Sequence, residues 1–173
     1  MDDKPEGLVR QFHRGLLVLP NCAGCPLEGE KQIHPEGDPT AHVAIVGEAP
    51  SYYDGLHDRV FSGTAGRFLD IMLANAGAER SEFWFTNTIL CRPKSITEAN
   101  GNVINPEQVA RKAATFCRPR LQGELSVVKP RMVIGFGSES VRALYEPTET
   151  IKGRRGGVHR INLAAQLGSG EAK

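Results

Sequence analysis

Cys22, Cys25, Cys91 and Cys117 are the side chains of this 173-residue chain with the plainest chemical use. The first two form a C-x2-C pair followed by proline, and the others stand far along the chain. Four thiolates close a tetrahedral zinc site or hold a [4Fe-4S] cluster. Zinc modules usually repeat the C-x2-C knuckle. Here the second pair is split between a strand end and a helical region, which favours a cluster, with structural zinc as the alternative. Free cysteines also serve as small buried hydrophobes, a use that accounts for Cys91 and Cys117 singly better than for all four together. Proline follows in Cys25-Pro26, Cys91-Arg92-Pro93 and Cys117-Arg118-Pro119 and stiffens the ligand turns. Arg92 and Arg118 would balance thiolate charge or reach a phosphate.

The elements that position these residues are legible from apolar spacing. Glu6 to Leu19 has helical spacing and stops at Pro20, and residues 21–39 read as an irregular loop. Three short apolar runs, His42 to Gly47, Phe83 to Leu90 and Arg131 to Gly137, read as buried strands. Between them, Glu48 to Gly55 and Ser62 to Gly66 read as loops, and Phe68, Leu69, Met72 and Leu73 mark a helix ending at Gly77. Asn105 and Pro106 open a helix through Ala114. Pro119 is expected to interrupt it, with a further helical piece running toward Val128. Strands alternating with helices imply an α/β fold in three layers, a central, mostly parallel four-stranded sheet flanked by helices. Ligands in such folds bind beyond the carboxyl ends of the strands. That rule nominates Glu48, Asn87 and the Gly137-Ser138 turn.

Composition limits the classes. With 40% hydrophobic and 24% charged residues, a chain of this length buries roughly 70% of its unfolded surface and needs no disulfides. A single domain over 1–173 is expected, with 92–105 as a surface insertion and 163–173 as a disordered tail. No apolar run reaches the roughly 20 residues of a membrane-spanning helix, and the acidic start does not resemble a signal peptide. A cytoplasmic protein with no membrane partner is expected. Residues 1–91 carry 7 Lys and Arg against 13 Asp and Glu, and residues 92–173 carry 14 against 7, so the halves bear −6 and +7. An arginine-rich half suits a phosphate-backbone surface; the plainer reading is a solvated helix face.

Several segments together carry a resemblance. Cys22 to Leu27 (CAGCPL), Gly47-Glu48-Ala49-Pro50, Val60 to Gly66 (VFSGTAG), Thr86-Asn87 leading to Cys91-Arg92-Pro93, and Lys129-Pro130-Arg131 are similar to the iron-sulfur (family 4) branch of the uracil-DNA glycosylase superfamily. The likeness covers roughly residues 20 to 157. It implies a [4Fe-4S] cluster on Cys22, Cys25, Cys91 and Cys117 and excision of uracil from DNA in base excision repair, leaving an abasic site. Asn87 would read uracil, because an amide offers one donor and one acceptor to O4 and N3–H. Phe61 would stack on the everted base. Gly47, Ala49 and Pro50 would line the pocket, and Glu48 would orient the attacking water or support the loop. Ser62, Gly63, Arg92, Arg154 and Arg155 would contact DNA. Other uses are open at this stage: Asn87 as a turn or cap residue, Phe61 as core, Glu48 as a cap of the next turn, and Tyr52 and Tyr53 as pocket or ordinary loop aromatics.

The sequence also departs from that family. Ser51 stands where glycine is usual, and a side chain there is expected to narrow the pocket. No His-Pro pair follows residue 35, whereas the family's histidine lies in a loop after a last strand; His159 sits at the start of the corresponding strand instead. The expected protein is therefore a monomeric glycosylase acting on uracil-containing DNA. The alternative is a weak or inactive iron-sulfur DNA-binding module accessory to a polymerase or another repair protein. A zinc-bound nucleotide-binding domain resting on Gly135 to Ser138 is a third reading.

Overall fold

The computed structural model describes residues 20–145, 151–154 and 156–161; the expected helix over Glu6 to Leu19, the tail from 163 and Arg155 lie outside them. Along the described chain, Glu36–Gly37 (β1) and Val43–Gly47 (β2) precede two helices, Tyr52–His57 (α1) and Thr64–Asn75 (α2). Phe83–Asn87 (β3) follows, then a hairpin of Ile96–Thr97 (β4) and Val103–Ile104 (β5) within the 92–105 segment. The long helix Pro106–Val128 (α3) leads to Met132–Gly135 (β6), Ser138–Leu144 (α4) and Ile151–Arg154 (α5).

The main sheet has the order β1-β3-β2-β6, with β2 parallel to β3 and β6 and β1 antiparallel at the edge. Its four-stranded, mostly parallel α/β architecture is the one expected, but the fourth strand differs. It comes from the loop before β2, while the 156–161 stretch forms no strand. Gly37 makes this edge possible: at φ +112° its missing Cβ leaves room for the Phe83 carbonyl, which a Cβ would meet at 2.0 Å.

Alternation along β2 divides the core into two faces, as period-2 side chains must. Ala44 and Val46, with Trp84, pack against Leu121, Leu125 and Val128 of α3 and against Ala143 and Leu144 of α4. Ile45 and Phe85 face Ile33, Val60 and Leu69 of α2. Helices thus cover both faces. Among the described residues no helix is long and apolar enough to cross a membrane.

Two expectations about helices are corrected. α3 is continuous over 23 residues and runs through Pro119. A mid-helix proline costs on the order of 3 kcal/mol. Val109, Ala113, Cys117, Leu121 and Leu125, all buried on one side of α3, bind it to two core clusters and offset that cost. The Glu48 to Gly55 stretch is likewise not all loop. Ser51 caps α1 in a reciprocal box, its hydroxyl accepting from the Asp54 amide while the Asp54 carboxylate accepts from the Ser51 amide.

Candidate functional site

Parallel pairing of β2 with β3 sets Gly47 beside Asn87 at the carboxyl end of the sheet. The pairing continues past both strands, with the Thr88 amide donating to the Gly47 carbonyl and the Ile89 amide to that of Glu48. Asn87 is 3% exposed, and its side-chain amide makes no hydrogen bond to any described residue. Among the described residues the fully enclosed side-chain polar atoms without a partner are Arg118 Nε and Arg120 Nε, so the Asn87 amide keeps a narrow opening through which a ligand can satisfy it. Glycine at position 47 is what lets it lie there. A Cβ at that position would meet Asn87 Oδ1 at 2.3 Å and Phe61 Cζ at 2.8 Å, so amide and ring converge over the bare glycine.

Phe61 is held in an unusual way. Its φ is +52°, a left-handed conformation that costs a bulky residue about 1–2 kcal/mol. Gly66 fixes that geometry, because a Cβ there would fall 1.6 Å from the Phe61 carbonyl oxygen. The ring meets Phe85 and Phe136 edge-on at centroid distances of 5.9 and 6.4 Å. The half-buried Phe61 is therefore packed on two sides and strained in its backbone, a combination that clusters at ligand sites.

The loops around this point are tied by a residue that sequence reasoning passed over. One carboxylate oxygen of Asp54 accepts from the Ser62 amide at 2.6 Å and the Ser62 hydroxyl at 3.1 Å; the other accepts from the Ser51 amide at 2.5 Å. Ser62 and Gly63 are thereby drawn against Ser51, whose hydroxyl lies 2.9 Å from where a Gly63 Cβ would be. Ser51 thus spends its hydroxyl on capping. The S-x-x-D pattern at 51–54 was the available signal. Burial pushes the Asp54 carboxyl up, but the hydrogen bonds from Ser51 and Ser62 outweigh it and hold it below its ordinary value. A depressed folded-state value gives stability that is complete above the unfolded value, near 4, and that is lost as the pH falls through the folded one. Urea midpoints measured downward from pH 5 should therefore fall more steeply for the wild type than for Asp54→Asn; parallel curves would exclude the latch.

Glu48 points toward β6 and α4. Its Oε1 accepts from the Glu139 amide at 2.9 Å, and a Cβ at Gly137, where φ is +93°, would meet its Cδ at 2.3 Å. It caps no adjacent turn; the helix it serves begins 90 residues later. Pro50 is buried, and Ala49 packs on the cysteine cluster, joining the two parts of the site. Arg92 is exposed and lies 5.4 Å over the Tyr52 ring. Arg154 stacks instead on Tyr145 at 4.7 Å, beside the exposed His159.

The four cysteines, all free, line one small pocket with Leu27, Ile89 and Ala113. Two come from the loop, one follows β3 and one lies inside α3. The Leu27 amide approaches Cys25 Sγ at 3.4 Å and the Gln32 carboxamide approaches Cys22 Sγ at 3.6 Å. Desolvation first, and the neighbouring Cys117 next, raises the Cys22 and Cys91 thiols, the latter to about 12. Burial likewise leads the upward push on Cys25. Among the described residues no three His, Cys, Asp or Glu side chains gather closely enough to hold a single metal ion.

The family model of the uracil DNA glycosylase superfamily matches residues 34–167. The chain belongs to that superfamily. Among curated relatives of this uracil DNA glycosylase superfamily member, the type-4 uracil-DNA glycosylase of Pyrobaculum aerophilum is 34% identical over 140 residues, or 80% of this chain and 64% of that protein. The type-4 enzyme of Sulfurisphaera tokodaii is 31% identical over 111 residues, covering 64% of this chain and 46% of its own. That of Archaeoglobus fulgidus is 28% identical over 127 residues, covering 72% and 59%. The chain thus spans between 46% and 64% of the length of these relatives.

A second feature of this superfamily member escaped the sequence reading. Arg120 and Glu124 of α3 are 1% and 2% exposed. The Arg120 guanidinium donates to Glu124 at 2.5 Å, to the Thr86 hydroxyl at 3.1 Å, and to the Asn87 and Thr88 carbonyls at 2.6 and 2.9 Å. Trp84 Nε1 donates to the other Glu124 oxygen at 2.6 Å. A buried ion pair thereby grips the backbone that carries Asn87.

Proposed function

We propose that the chain excises uracil from DNA, everting the nucleotide and hydrolysing its N-glycosidic bond to leave an abasic site. The observation that carries this reading is the Asn87 amide, hydrogen-bonded to no described residue, beside Phe61 over Gly47. An enzyme acting on a base must take it out of the stack and read its Watson-Crick edge. The amide N–H donates to uracil O4 and the amide oxygen accepts from N3–H; cytosine presents the reversed pattern and is refused. Phe61 supplies the stacking face. Backbone amides of the 47–51 loop hold a pyrimidine carbonyl as charge develops on the leaving base. The bond's electron pair goes to uracil, water oxygen bonds to C1′, and Glu48 Oε2 takes a proton from that water while Oε1 stays on the Glu139 amide.

Cys22, Cys25, Cys91 and Cys117 are the residues that would hold a [4Fe-4S] cluster. Their convergence on one apolar pocket supports this, as do the N–H groups near two of the sulfurs and the absence of disulfides among them. Bound there, the cluster supplies a structural clamp between the loop, β3 and α3. The purified protein should be brown, with broad absorption near roughly 400 nm, and Cys91→Ser should bleach it; a colourless, zinc-loaded wild type would refute the cluster.

The deciding experiment is incubation with uracil-containing single- and double-stranded DNA followed by alkali. Strand scission in both or either form is expected. No scission above the Asn87→Ala background would sink the enzyme reading and leave the DNA-binding module, a reading in keeping with the placement of His159 against Tyr145. Gly47→Ala offers a sharper check, since its methyl would push amide and ring apart by a few tenths of an ångström or more. Displacements near 1 Å can cost about 100-fold, so excision should drop at least tenfold while the melting temperature hardly moves.

A further inference from the structure

Where α1 meets the segment after Cys91 lies a cavity of about 310 Å³, walled by Tyr52, Leu56, Arg92, Lys31, Lys94 and Glu30 with Ile33 among its lining. We propose that it is a stacking subsite for the nucleotide flanking the everted uracil, with Tyr52 as the platform and Arg92 as the lid. The proposal rests on the DNA-binding reading above and adds which neighbouring group is held and by what.

Position is the first support. Gly47 and Asn87 pair at the carboxyl end of the sheet, and Tyr52 and Arg92 follow them by five residues each, so the cavity is walled by the segments that continue β2 and β3. A nucleotide next to a uracil held at Asn87 has these segments within its reach along the strand. Exposure is the next. Tyr52 is 59% and Leu56 62% exposed, an apolar surface opening from the 1% exposed Ile33. Bases of any sequence stack on such aromatic faces, and guanidinium planes add to the stack.

Charge completes the argument. The cavity presents three cations against one acid. Lys31 pairs with Asp58 at 3.2 Å and Lys94 with Glu30 at 2.8 Å, exposed pairs that contribute little and yield readily to a phosphate. Arg92 forms no ion pair with a described residue; its partner is the Tyr52 ring at 5.4 Å. A planar base between them needs roughly 6.8 Å, twice the stacking rise of 3.4 Å. The exposed guanidinium opens that gap by side-chain rotation. Glu30 and Lys31 belong to the same loop as Cys22 and Cys25, so the cysteine centre also braces one wall of the subsite.

The test is a coupling cycle between protein and DNA. Wild type, Tyr52→Ala and Tyr52→Phe are titrated by fluorescence anisotropy with single strands carrying one uracil analogue that resists cleavage. The nucleotide on its 5′ or its 3′ side is intact or replaced by an abasic spacer. Tyr52→Ala should weaken binding of the intact strand by about fivefold or more, and Tyr52→Phe should not. On one side the spacer should cost the wild type a similar factor and cost Tyr52→Ala almost nothing, the non-additivity of a direct contact. Additive losses on both sides, or no binding by the wild type, overturn the subsite. Uracil excision is read separately: scission without coupling sinks the subsite alone, and coupling without scission sinks the enzyme reading alone. If Arg92→Met lowers affinity equally for intact and spacer strands on both sides, Arg92 is a phosphate contact only and the lid is refuted.

Discussion

Asn87→Ala should lower the rate of uracil excision by about 100- to 1,000-fold while leaving the fold intact. The magnitude is that of removing one preorganised donor from a site where charge develops. The fold should survive because the amide bonds to no described residue, so truncation strands no partner. Asn87→Asp separates recognition from shape. It keeps the size of the side chain but offers only acceptors, so uracil O4 meets an oxygen in place of an N–H. Its loss should match that of alanine. Single-turnover excision by the two variants, with near-wild-type melting curves, would support Asn87 as the reader; wild-type rates in Asn87→Asp would eliminate it.

How much of this was open to sequence reasoning depends on whether a residue's role is local. Strand ends are local: short apolar runs over His42 to Gly47, Phe83 to Leu90 and Arg131 to Gly137 announced the parallel sheet, although the second strand stops at Asn87, three residues short of its run. The cysteines were also legible, because thiol chemistry restricts what four of them do in one chain. Phe61 could be nominated only from its glycine neighbours, and its left-handed backbone became visible with the contact to Gly66. Glu48 read as a water-orienting or loop-supporting residue, or more plainly as a cap of the next turn, yet the amide it accepts from belongs to α4, a pairing that exists only after β6 docks beside β2. Asp54 hid in a stretch that read as loop. Pro119 misled, because a local penalty was weighed without the distributed burial of α3 that opposes it.

Arg120 shows why such residues stay hidden and what they do once found. In the sequence, Arg120 and Glu124 are an i,i+4 pair, a spacing that on exposed helices is worth a few tenths of a kcal/mol. Buried, the same pair has different energetics, since removing one partner leaves an uncompensated charge at a cost of about 3–5 kcal/mol. Arg120→Met should therefore lower stability by that amount and the melting temperature by roughly 10 °C, at the 2–4 °C per kcal/mol of a chain this size. Adding Glu124→Gln removes the stranded charge yet keeps an acceptor for Trp84 Nε1, so the double variant should regain more than half of the loss. Excision should not recover with it. The carbonyls of Asn87 and Thr88 still lack the guanidinium that holds them, and a reading amide on a loosened strand end binds the everted base less selectively. Urea denaturation of the two variants beside their kcat/KM for uracil strands separates these effects. A double variant that regains both stability and full excision would reduce Arg120 to a core residue, and one that regains stability alone would make it the bracket that aims Asn87.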